Sequence, residues 1–260
     1  NGALGARRTE IGAPPAPVDV TAIVQVEREP ITLILSQKGW IRAVRGHITD
    51  AEGQKFKEGD SLRLLLPCET TDRIALFATD GRVFTIRASE IPRGRGDGQP
   101  IRLMVDLANQ DEIVSFFVWK DDARYLVAGT SGRGFVVKSA DLIAEKRTGK
   151  QILNLRDGER AALCVPAEGD HVAVIGDNRK LLVFPLDQLP ELARGTGVAL
   201  QKYKDGGLKD AKVFKLSDGL TWRSGERTRT ETALRDWLGE RAQTGRSPPS
   251  GFPRSGLFTG

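Results

Sequence analysis

The sequence is short of the residue types that build metal centres, disulfide frameworks and membrane spans. Its 260 residues include two cysteines, two histidines and one methionine. Cys68 and Cys164 lie far apart, without a C-x-x-C spacing or a nearby histidine, so neither a structural zinc site nor a disulfide framework is expected. Both are interpreted as small buried hydrophobic residues in a reducing cytosol. No apolar run approaches the roughly 20 residues that span a bilayer, and no signal peptide is recognisable.

Complete catalytic motifs are also missing from the sequence. Gly149-Lys150 resembles the end of a P-loop, but Ala144 stands at the first glycine position and Gln151 at the Ser/Thr position, so the phosphate cradle and the magnesium ligand are both absent. The acidic residues form no pair that suggests acid–base catalysis. An enzyme would need a cleft that brings acidic neighbours to His47 or His171.

The excess of charge is positive but small. Lysine and arginine (39) outnumber aspartate and glutamate (34), which gives a net charge of +5 and an isoelectric point near 9.3. This balance favours polyanionic partners without the extreme bias of a basic tail, so the placement of the charges matters more than their total. A chain that begins at Asn1 and contains only Met104 is interpreted as part of a larger protein, with catalysis expected elsewhere.

The sequence divides into three stretches of different composition. Residues 1–28 are rich in Gly, Ala and Pro and are interpreted as a linker from a missing catalytic core, with one short strand at most, near residues 21–26. Residues 29–246 consist of short β-branched runs separated by turn signals, which is typical of an all-β domain, with the last repeat the least regular. Residues 247–260 contain Pro248-Pro249 and small residues, so a flexible tail is expected.

The all-β stretch is built from a repeated unit. Each unit has an apolar strand, a tight turn, a second strand and a basic loop that contains glycine. The turns are anchored, at intervals of about 40 to 50 residues, by Gly39, Gly81, Gly132, Asn178 and Gly219. Repeats of this length predict a propeller-like disc of about five four-stranded blades. The sequence leaves open whether the ring is closed.

The loops carry arginine or lysine beside glycine in every unit. The richest stretch is residues 92–101, where Arg93 and Arg95 alternate with glycines, so that cationic side chains sit on a backbone that can approach a phosphate closely. The other loops are 45–47, 146–150, 194–197 and 241–246. In a radially repeated disc, equivalent positions share one rim, and a basic rim is a track for a curved duplex. For any single loop the alternative is an ordinary solvated turn.

The predicted DNA-binding residues belong to these loops or lie near the hairpin turns. They are Lys38, Arg42, Arg45, His47, Arg93, Arg95, Arg133, Lys146, Arg147, Lys150, Arg179 and Arg194.

Three segments of the sequence carry a resemblance to a known family. They are residues 29–47 (EPITLILSQKGWIRAVRGH), residues 56–60 (FKEGD) and residues 94–100 (GRGDGQP). This arrangement resembles the C-terminal β-pinwheel domain of the A subunit of bacterial type IIA topoisomerases. It is more similar to topoisomerase IV (ParC) than to gyrase, because the first repeat holds only Arg45-Gly46-His47 where a gyrase A subunit would carry a glutamine-led loop rich in Arg, Lys and Gly.

The resemblance implies a non-catalytic DNA-binding and DNA-bending domain that holds the transported duplex during ATP-dependent decatenation and relaxation. It implies no cofactor in this fragment, with ATP and Mg required by the whole enzyme. The implied partners are duplex DNA, bound without sequence preference, an ATPase B subunit, and the remainder of a dimeric A subunit. The implied location is the bacterial cytoplasm, in association with the nucleoid.

Two other functions stay open on the sequence alone. One is a DNA-wrapping domain of the gyrase A type. The other is a propeller-like module for protein–protein contacts, in which the glycines would serve turns only.

Overall fold

The computed structural model describes residues 26–260. Within them, the β-branched runs form strands connected by tight turns and by short 3-10 turns. The strands are β1 (Pro30–Ser36), β2 (Trp40–Arg45), β3 (Leu62–Glu69), β4 (Arg73–Ala78), β5 (Arg82–Arg87), β6 (Gln99–Pro100), β7 (Ile113–Val118), β8 (Arg124–Gly129), β9 (Arg133–Lys138), β10 (Lys150–Gln151), β11 (Ala161–Pro166), β12 (His171–Gly176), β13 (Leu181–Pro185), β14 (Val198–Ala199), β15 (Leu208–Phe214), β16 (Leu220–Ser224) and β17 (Arg227–Glu231).

All of the helical structure in the described residues is of the 3-10 type. The 3-10 turns are Ala88–Glu90, Ile101–Leu103, Ser139–Leu142, Leu186–Gln188 and Leu216–Asp218. None of the helices within residues 26–260 has the length and apolar character needed to cross a membrane. The predicted linker and its short strand lie, apart from residues 26–28, outside the described residues.

The strands form five antiparallel sheets that follow one another along the chain. Their strand orders are β3-β1-β2-β6, β10-β5-β4-β7, β11-β8-β9-β14, β13-β12-β15 and β16-β17. This confirms the predicted all-β pinwheel. The expectation of four strands in every blade holds for the first three sheets, whereas the fourth has three strands and the fifth has two.

The turns of the first four hairpins share one geometry. Gly39, Gly81 and Gly132 have φ angles of 83°, 83° and 87°, and each amide donates to the carbonyl three residues earlier. In the fourth hairpin this position belongs to Arg179, with φ 58°, and not to Asn178 as the sequence suggested. The side chain of Asn178 instead accepts a hydrogen bond from the amide of Lys180 at 3.0 Å.

The predicted fifth repeat is out of phase with the structure. The run that ends at Phe214 is β15, which pairs with β12 and therefore completes the fourth sheet. Gly219 ends a 3-10 turn and precedes β16, and the turn of the last hairpin contains Gly225, with φ 62°. The local pattern of strand, Asp-Gly and strand was misleading because the 3-10 turn separates two strands of different sheets.

The first four sheets are completed by the loop of the next repeat. Strand β6 follows β5 in sequence but pairs with β2 of the first sheet, β10 pairs with β5 of the second, and β14 pairs with β9 of the third. In the fourth sheet, bridges from Arg246 to Leu181 and from Leu238 to Val183 take the same place. We call these segments exchanged strands, because each lies in one repeat but pairs with the sheet of the repeat before it. The loops that carry them are the exchanged loops, and they interlock neighbouring sheets.

Each exchanged segment is preceded by a glycine that lies against the backbone of the preceding sheet. Gly98, Gly149, Gly197 and Gly245 all have positive φ angles, between 70° and 82°. A Cβ at Gly98 would lie 2.0 Å from the Ile41 carbonyl oxygen, and one at Gly197 would lie 2.2 Å from the Gly134 carbonyl oxygen. Only glycine combines this backbone conformation with so close an approach.

The hydrophobic core is divided among the interfaces between successive sheets. Leu33 packs in a cluster with Leu76, Phe77 with Val127, Leu126 with Val174, and Ile175 with Trp222. The strands β3, β7, β11 and β15 contact one another in that order, so they form the inner edge of the series, opposite the exchanged strands. Within residues 26–260, no hydrogen bond, ion pair or apolar cluster joins the first sheet to the fifth.

The C-terminal segment, residues 247–260, packs on the last two sheets, which corrects the expectation of a flexible tail. Phe252 and Phe258 are buried in one cluster with Trp222. The amide of Arg223 donates to the Phe258 carbonyl at 2.8 Å, and the Phe258 amide donates to the Asp210 carboxylate at 2.9 Å. The small residues and prolines of this segment obscured the two phenylalanines that anchor it.

We predict that Gly98→Ala lowers the free energy of unfolding by at least about 2 kcal/mol, since alanine is strained at positive φ and its Cβ would overlap the Ile41 carbonyl. Gly96→Ala, in the same loop, is the matched control. Gly96 has no positive φ and no atom within 4 Å of a Cβ, so its cost is expected to stay within about 0.5 kcal/mol. Urea denaturation measures both, and equal stabilities would contradict the exchange geometry.

We also predict that Phe258→Ala destabilises the protein by about 3 to 5 kcal/mol, because the change leaves a cavity beside Trp222 and Phe252. Thr259→Ala is the control, because Thr259 is exposed; its effect is expected to stay within about 0.5 kcal/mol. Unfolding followed by tryptophan fluorescence compares the two variants. A flexible tail would make them indistinguishable.

Candidate functional site

The loops that carry the exchanged segments contact one another in succession. The Asp106 amide donates to the Arg147 carbonyl at 2.8 Å, the Asn154 amide donates to the Gly195 carbonyl at 2.8 Å, and the Lys202 amide donates to the Gln243 carbonyl at 3.0 Å. Together these loops form a continuous structure, which we call the outer band. It comprises residues 91–107, 143–155, 189–202 and 238–246.

Half of the predicted DNA-binding residues lie in the outer band, and all of these are exposed. They are Arg93, Arg95, Lys146, Arg147, Lys150 and Arg194. The structure therefore brings cations from the second, third and fourth repeats onto one continuous surface.

Only part of the positive charge of the outer band is compensated by acids. Arg93 forms an ion pair with Glu29 at 3.0 Å and Arg147 forms one with Asp106 at 3.3 Å. Arg194 donates to the neutral side chain of Asn154 at 3.1 Å, and the Lys150 ammonium donates to the Asp141 carbonyl at 3.0 Å. The side chains of Arg95 and Lys146 make no hydrogen bond or ion pair with any other residue of the part described. These cations are therefore available to an external anion.

Three predicted residues lie at hairpin turns and not in the outer band. Lys38 is exposed, with its ammonium 3.4 Å from the Glu58 carbonyl oxygen. Arg133 is half-buried and pairs with Ala199 of the exchanged strand β14. Arg179 donates to the carbonyl oxygens of Pro253 and Arg254, at 3.2 and 2.9 Å. Arg179 thus holds the C-terminal segment.

Arg42 lies below the surface, which corrects the expectation of a surface contact. The residue is only 5% exposed. One terminal nitrogen donates to the carbonyl oxygens of Lys55 and Gly96 at 2.7 and 3.0 Å, and the other donates to the Gln54 side chain at 3.2 Å. Arg42 therefore joins the first sheet to the loop of the second repeat.

Arg45 and His47 do not occupy the position that the repeat pattern assigned to them. Arg45 is the last residue of β2 and His47 lies two residues further on, and the chain then returns to its own sheet as β3. Arg45 is exposed, and a ring nitrogen of His47 lies 2.9 Å from the Cys68 carbonyl oxygen. The first repeat therefore has no exchanged loop in the part of the chain that the structure describes, since there is no preceding sheet to receive one.

Four cations of the outer band were not among the predicted site residues: Arg102, Lys202, Arg241 and Arg246. Arg246 is exposed, and Arg241 is half-buried and donates to the Ala199 carbonyl at 2.8 Å. The basic stretch 241–246 was the sequence signal for Arg241 and Arg246, and Gly245 has the same positive φ as Gly98.

Comparison with protein families gives a match that follows the repeats. The family model described as the DNA gyrase C-terminal domain, beta-propeller, matches residues 72–120, 124–164 and 170–208. These stretches contain the hairpins of the second, third and fourth sheets.

Similar proteins extend over the whole chain. The sequence is 43% identical over 262 residues to the A subunit of DNA topoisomerase 4 from Rickettsia bellii, covering 100% of this chain and 35% of that protein. It is 42% identical over 247 residues to the corresponding protein of Caulobacter vibrioides, covering 95% of this chain and 32% of that protein. The chain thus spans about a third of the length of these relatives.

Solved structures show the same architecture. The C-terminal domain of E. coli ParC superposes with a TM-score of 0.75 at 28% identity, covering 85% of this chain and 95% of that one. The C-terminal domain of DNA gyrase A superposes with a TM-score of 0.59 at 17% identity, covering 88% of this chain and 80% of that one, which is a likeness of fold.

His171, Asp170 and Cys68 lie outside the outer band and serve the packing of the sheets. A ring nitrogen of His171 lies 2.8 Å from the Asp170 carboxylate, which also accepts from the Leu216 amide at 2.9 Å. These bonds hold the pKa of Asp170 below its ordinary value.

Burial raises the pKa of Cys68 to about 12. Within residues 26–260, no cluster of three His, Cys, Asp or Glu side chains is placed to hold a metal ion.

We predict that Asp170→Ala reduces stability at neutral pH, and that the difference from the unchanged protein narrows under acid. A carboxyl with a lowered folded pKa stabilises above the unfolded value of about 4, and this contribution is lost as the pH falls through the folded pKa. Urea denaturation between neutral pH and strong acid measures the difference. Asp187→Ala, whose side chain bonds no described residue, is the control, and a pH-independent difference for Asp170→Ala would contradict the prediction.

Proposed function

Because the chain belongs to the family of C-terminal β-pinwheel domains of topoisomerase IV A subunits (ParC), which are related to those of gyrase A, we propose that it binds and bends duplex DNA and has no active site of its own. In the whole enzyme, it would hold the duplex that is transported during ATP-dependent decatenation and relaxation. It would act in the bacterial cytoplasm, on DNA of the nucleoid.

The observation that carries this proposal is the placement of exposed cations along the outer band. Arg95, Lys146 and Arg194 come from three successive repeats, and none of them is ion-paired with a described residue. Exchange puts their loops in hydrogen-bonded contact, so the cations follow one continuous surface. Cations in such a row suit the regularly spaced phosphates of a duplex.

The chemistry of the outer band favours binding without sequence preference. Its cations sit on short loops and partly bond to neighbouring carbonyls, as Arg147 does with Leu103 at 2.6 Å. Such side chains reach phosphates at the surface of a duplex, and the helices of the described residues are short 3-10 turns, too short to read bases in a groove. A duplex that follows a curved series of sheets would bend, and the phosphate contacts would offset the cost of bending.

The remaining parts of the enzyme would lie outside this chain. Its partners would be an ATPase B subunit, together with the remainder of a dimeric A subunit. ATP and Mg would be used there, and the proposed contacts to DNA need no cofactor.

The first sheet favours the topoisomerase IV type of domain over a gyrase-type wrapping domain. The segment after its hairpin, residues 46–61, returns to the same sheet and supplies no exchanged strand. It contributes cations, notably Lys55 and Lys57, but Lys57 lies over the ring of Trp40 at 3.6 Å. The first repeat would therefore contact the duplex locally, without a long basic loop for wrapping.

A charge-reversed variant tests the proposal. We predict that the combined change Arg147→Glu, Lys150→Glu and Arg194→Glu lowers the affinity of the 260-residue chain for a linear duplex by roughly tenfold or more at moderate salt. We also expect the slope of log affinity against log salt to become shallower by about 2 to 3, since up to three phosphate contacts are lost. Fluorescence anisotropy in a salt series measures both quantities.

The matched control reverses three exposed lysines on or next to the inner strands, Lys120→Glu, Lys209→Glu and Lys215→Glu. It changes the net charge equally, so an effect specific to the outer band leaves the affinity of this control clearly higher than that of the charge-reversed variant. Unchanged binding by the charge-reversed variant, with the fold intact by circular dichroism, would overturn the proposal and favour a protein-contact module. If both variants lose affinity equally, the attraction to DNA depends on net charge and not on the outer band.

A further inference from the structure

A cleft lined by cations lies beside the first sheet. It separates residues 46–55, which follow β2, from the exchanged loop of the second repeat, and its volume is about 590 Å³. This is within the size range of pockets that take small ligands. The charged side chains that line it are all basic: Arg42, Arg45, Lys55, Arg93 and Arg95.

Most of this charge is uncompensated. Arg93 is paired with Glu29 at 3.0 Å, but the side chains of Arg45, Lys55 and Arg95 make no hydrogen bond or ion pair with residues 26–260. The buried Arg42 bonds only to neutral oxygens, and its Nε has no partner among the described residues. A buried guanidinium without a carboxylate leaves a positive potential that an anion in the cleft would offset.

The backbone at the mouth of the cleft is uncovered. A Cβ at Gly53, Gly94 or Gly96 would meet no atom within 4 Å, in contrast to the crowded Gly98. The amides of Arg95 and Gly96 donate to no acceptor among the described residues. Glycines in this arrangement leave backbone amides within reach of an oxyanion. Packing requires Gly98, but it does not require Gly96.

We infer that this cleft is a phosphate clamp, which takes one phosphodiester of the bound duplex between Arg45 and Arg95, with Lys55 as a third cation. The inference rests on the proposed DNA binding, and it adds one defined position at which a phosphate of the duplex is held. Along the rest of the outer band the cations are spread over several repeats, whereas here several converge on one space. The clamp lies between the first sheet and the loop of the second repeat. It would therefore determine where the duplex first contacts the outer band.

Two variants with the same loss of charge test the clamp. The cleft variant is Arg45→Gln, Lys55→Gln and Arg95→Gln, and the band variant is Lys146→Gln, Lys150→Gln and Arg194→Gln. All six side chains are exposed, so both variants are expected to fold, which thermal unfolding checks. Duplex affinity is measured for the 260-residue chain across a salt series.

If the cleft is a clamp, the two variants differ in how much duplex affinity they lose and in how much their salt slope changes. The cleft variant is expected to lose roughly tenfold more affinity than the band variant, while its salt slope changes by only about 1, because the three cations act on one phosphate. The band variant is expected to change the slope by about 2 to 3, because its cations contact separate phosphates. Equal losses with equal slope changes would overturn the clamp and leave the proposed function standing.

A titration with inorganic phosphate tests whether the cleft binds a phosphodiester of DNA or the free phosphate ion. We expect weak binding that shifts the amide resonances of Arg95 and Gly96 in NMR spectra, is absent in the cleft variant, and is displaced by duplex. Tight phosphate binding that duplex does not displace would indicate a site for the free ion and overturn the assignment to DNA. If neither variant weakens duplex binding, the proposed function itself is wrong.

Discussion

The close approach of a glycine to the backbone of the preceding sheet is the constraint on which this structure depends. At Gly98, Gly149, Gly197 and Gly245, the chain takes a positive φ and passes so near a neighbouring strand that a Cβ would overlap it. This approach lets a short segment pair with the hairpin of the previous repeat. Because the first three sheets each take a strand from the next repeat, and the fourth is bridged by the loop that follows the fifth, the repeats cannot separate without breaking backbone hydrogen bonds.

The same constraint organises the surface. An exchanged loop must run outside the hairpin that it completes, so it lies at the outer edge and meets the loop before it. Cations on these loops consequently come from different repeats yet share one surface, as Arg95, Lys146 and Arg194 do. The position of the charge is a result of strand exchange, and the electrostatic attraction for a polyanion follows from it.

The ends of the series show what happens where exchange stops. At the start, no described sheet precedes the first hairpin, so Arg45 belongs to a cleft with Lys55 instead of an exchanged loop. At the other end of the described residues, the fifth sheet consists of β16 and β17 alone, and the C-terminal segment covers the last two sheets with Phe252 and Phe258. Arg179 helps to hold this segment through its bonds to Pro253 and Arg254. The terminal repeats of solenoid-like arrays are commonly modified in this way.

The sequence by itself determined the fold class, the repeat and the basic loops, because β-branched runs, turn glycines and clustered arginines are local features. It therefore identified the exposed cations of the middle repeats, including Arg95 and Lys146. Only the tertiary structure decided which sheet each loop joins, because pairing between distant strands is not encoded in local pattern. That pairing buried Arg42, separated Arg45 from the outer band and assigned β15 to the fourth sheet. It also divided the glycines of the second-repeat loop: Gly98 serves packing, whereas Gly94 and Gly96 border open space that an anion can enter.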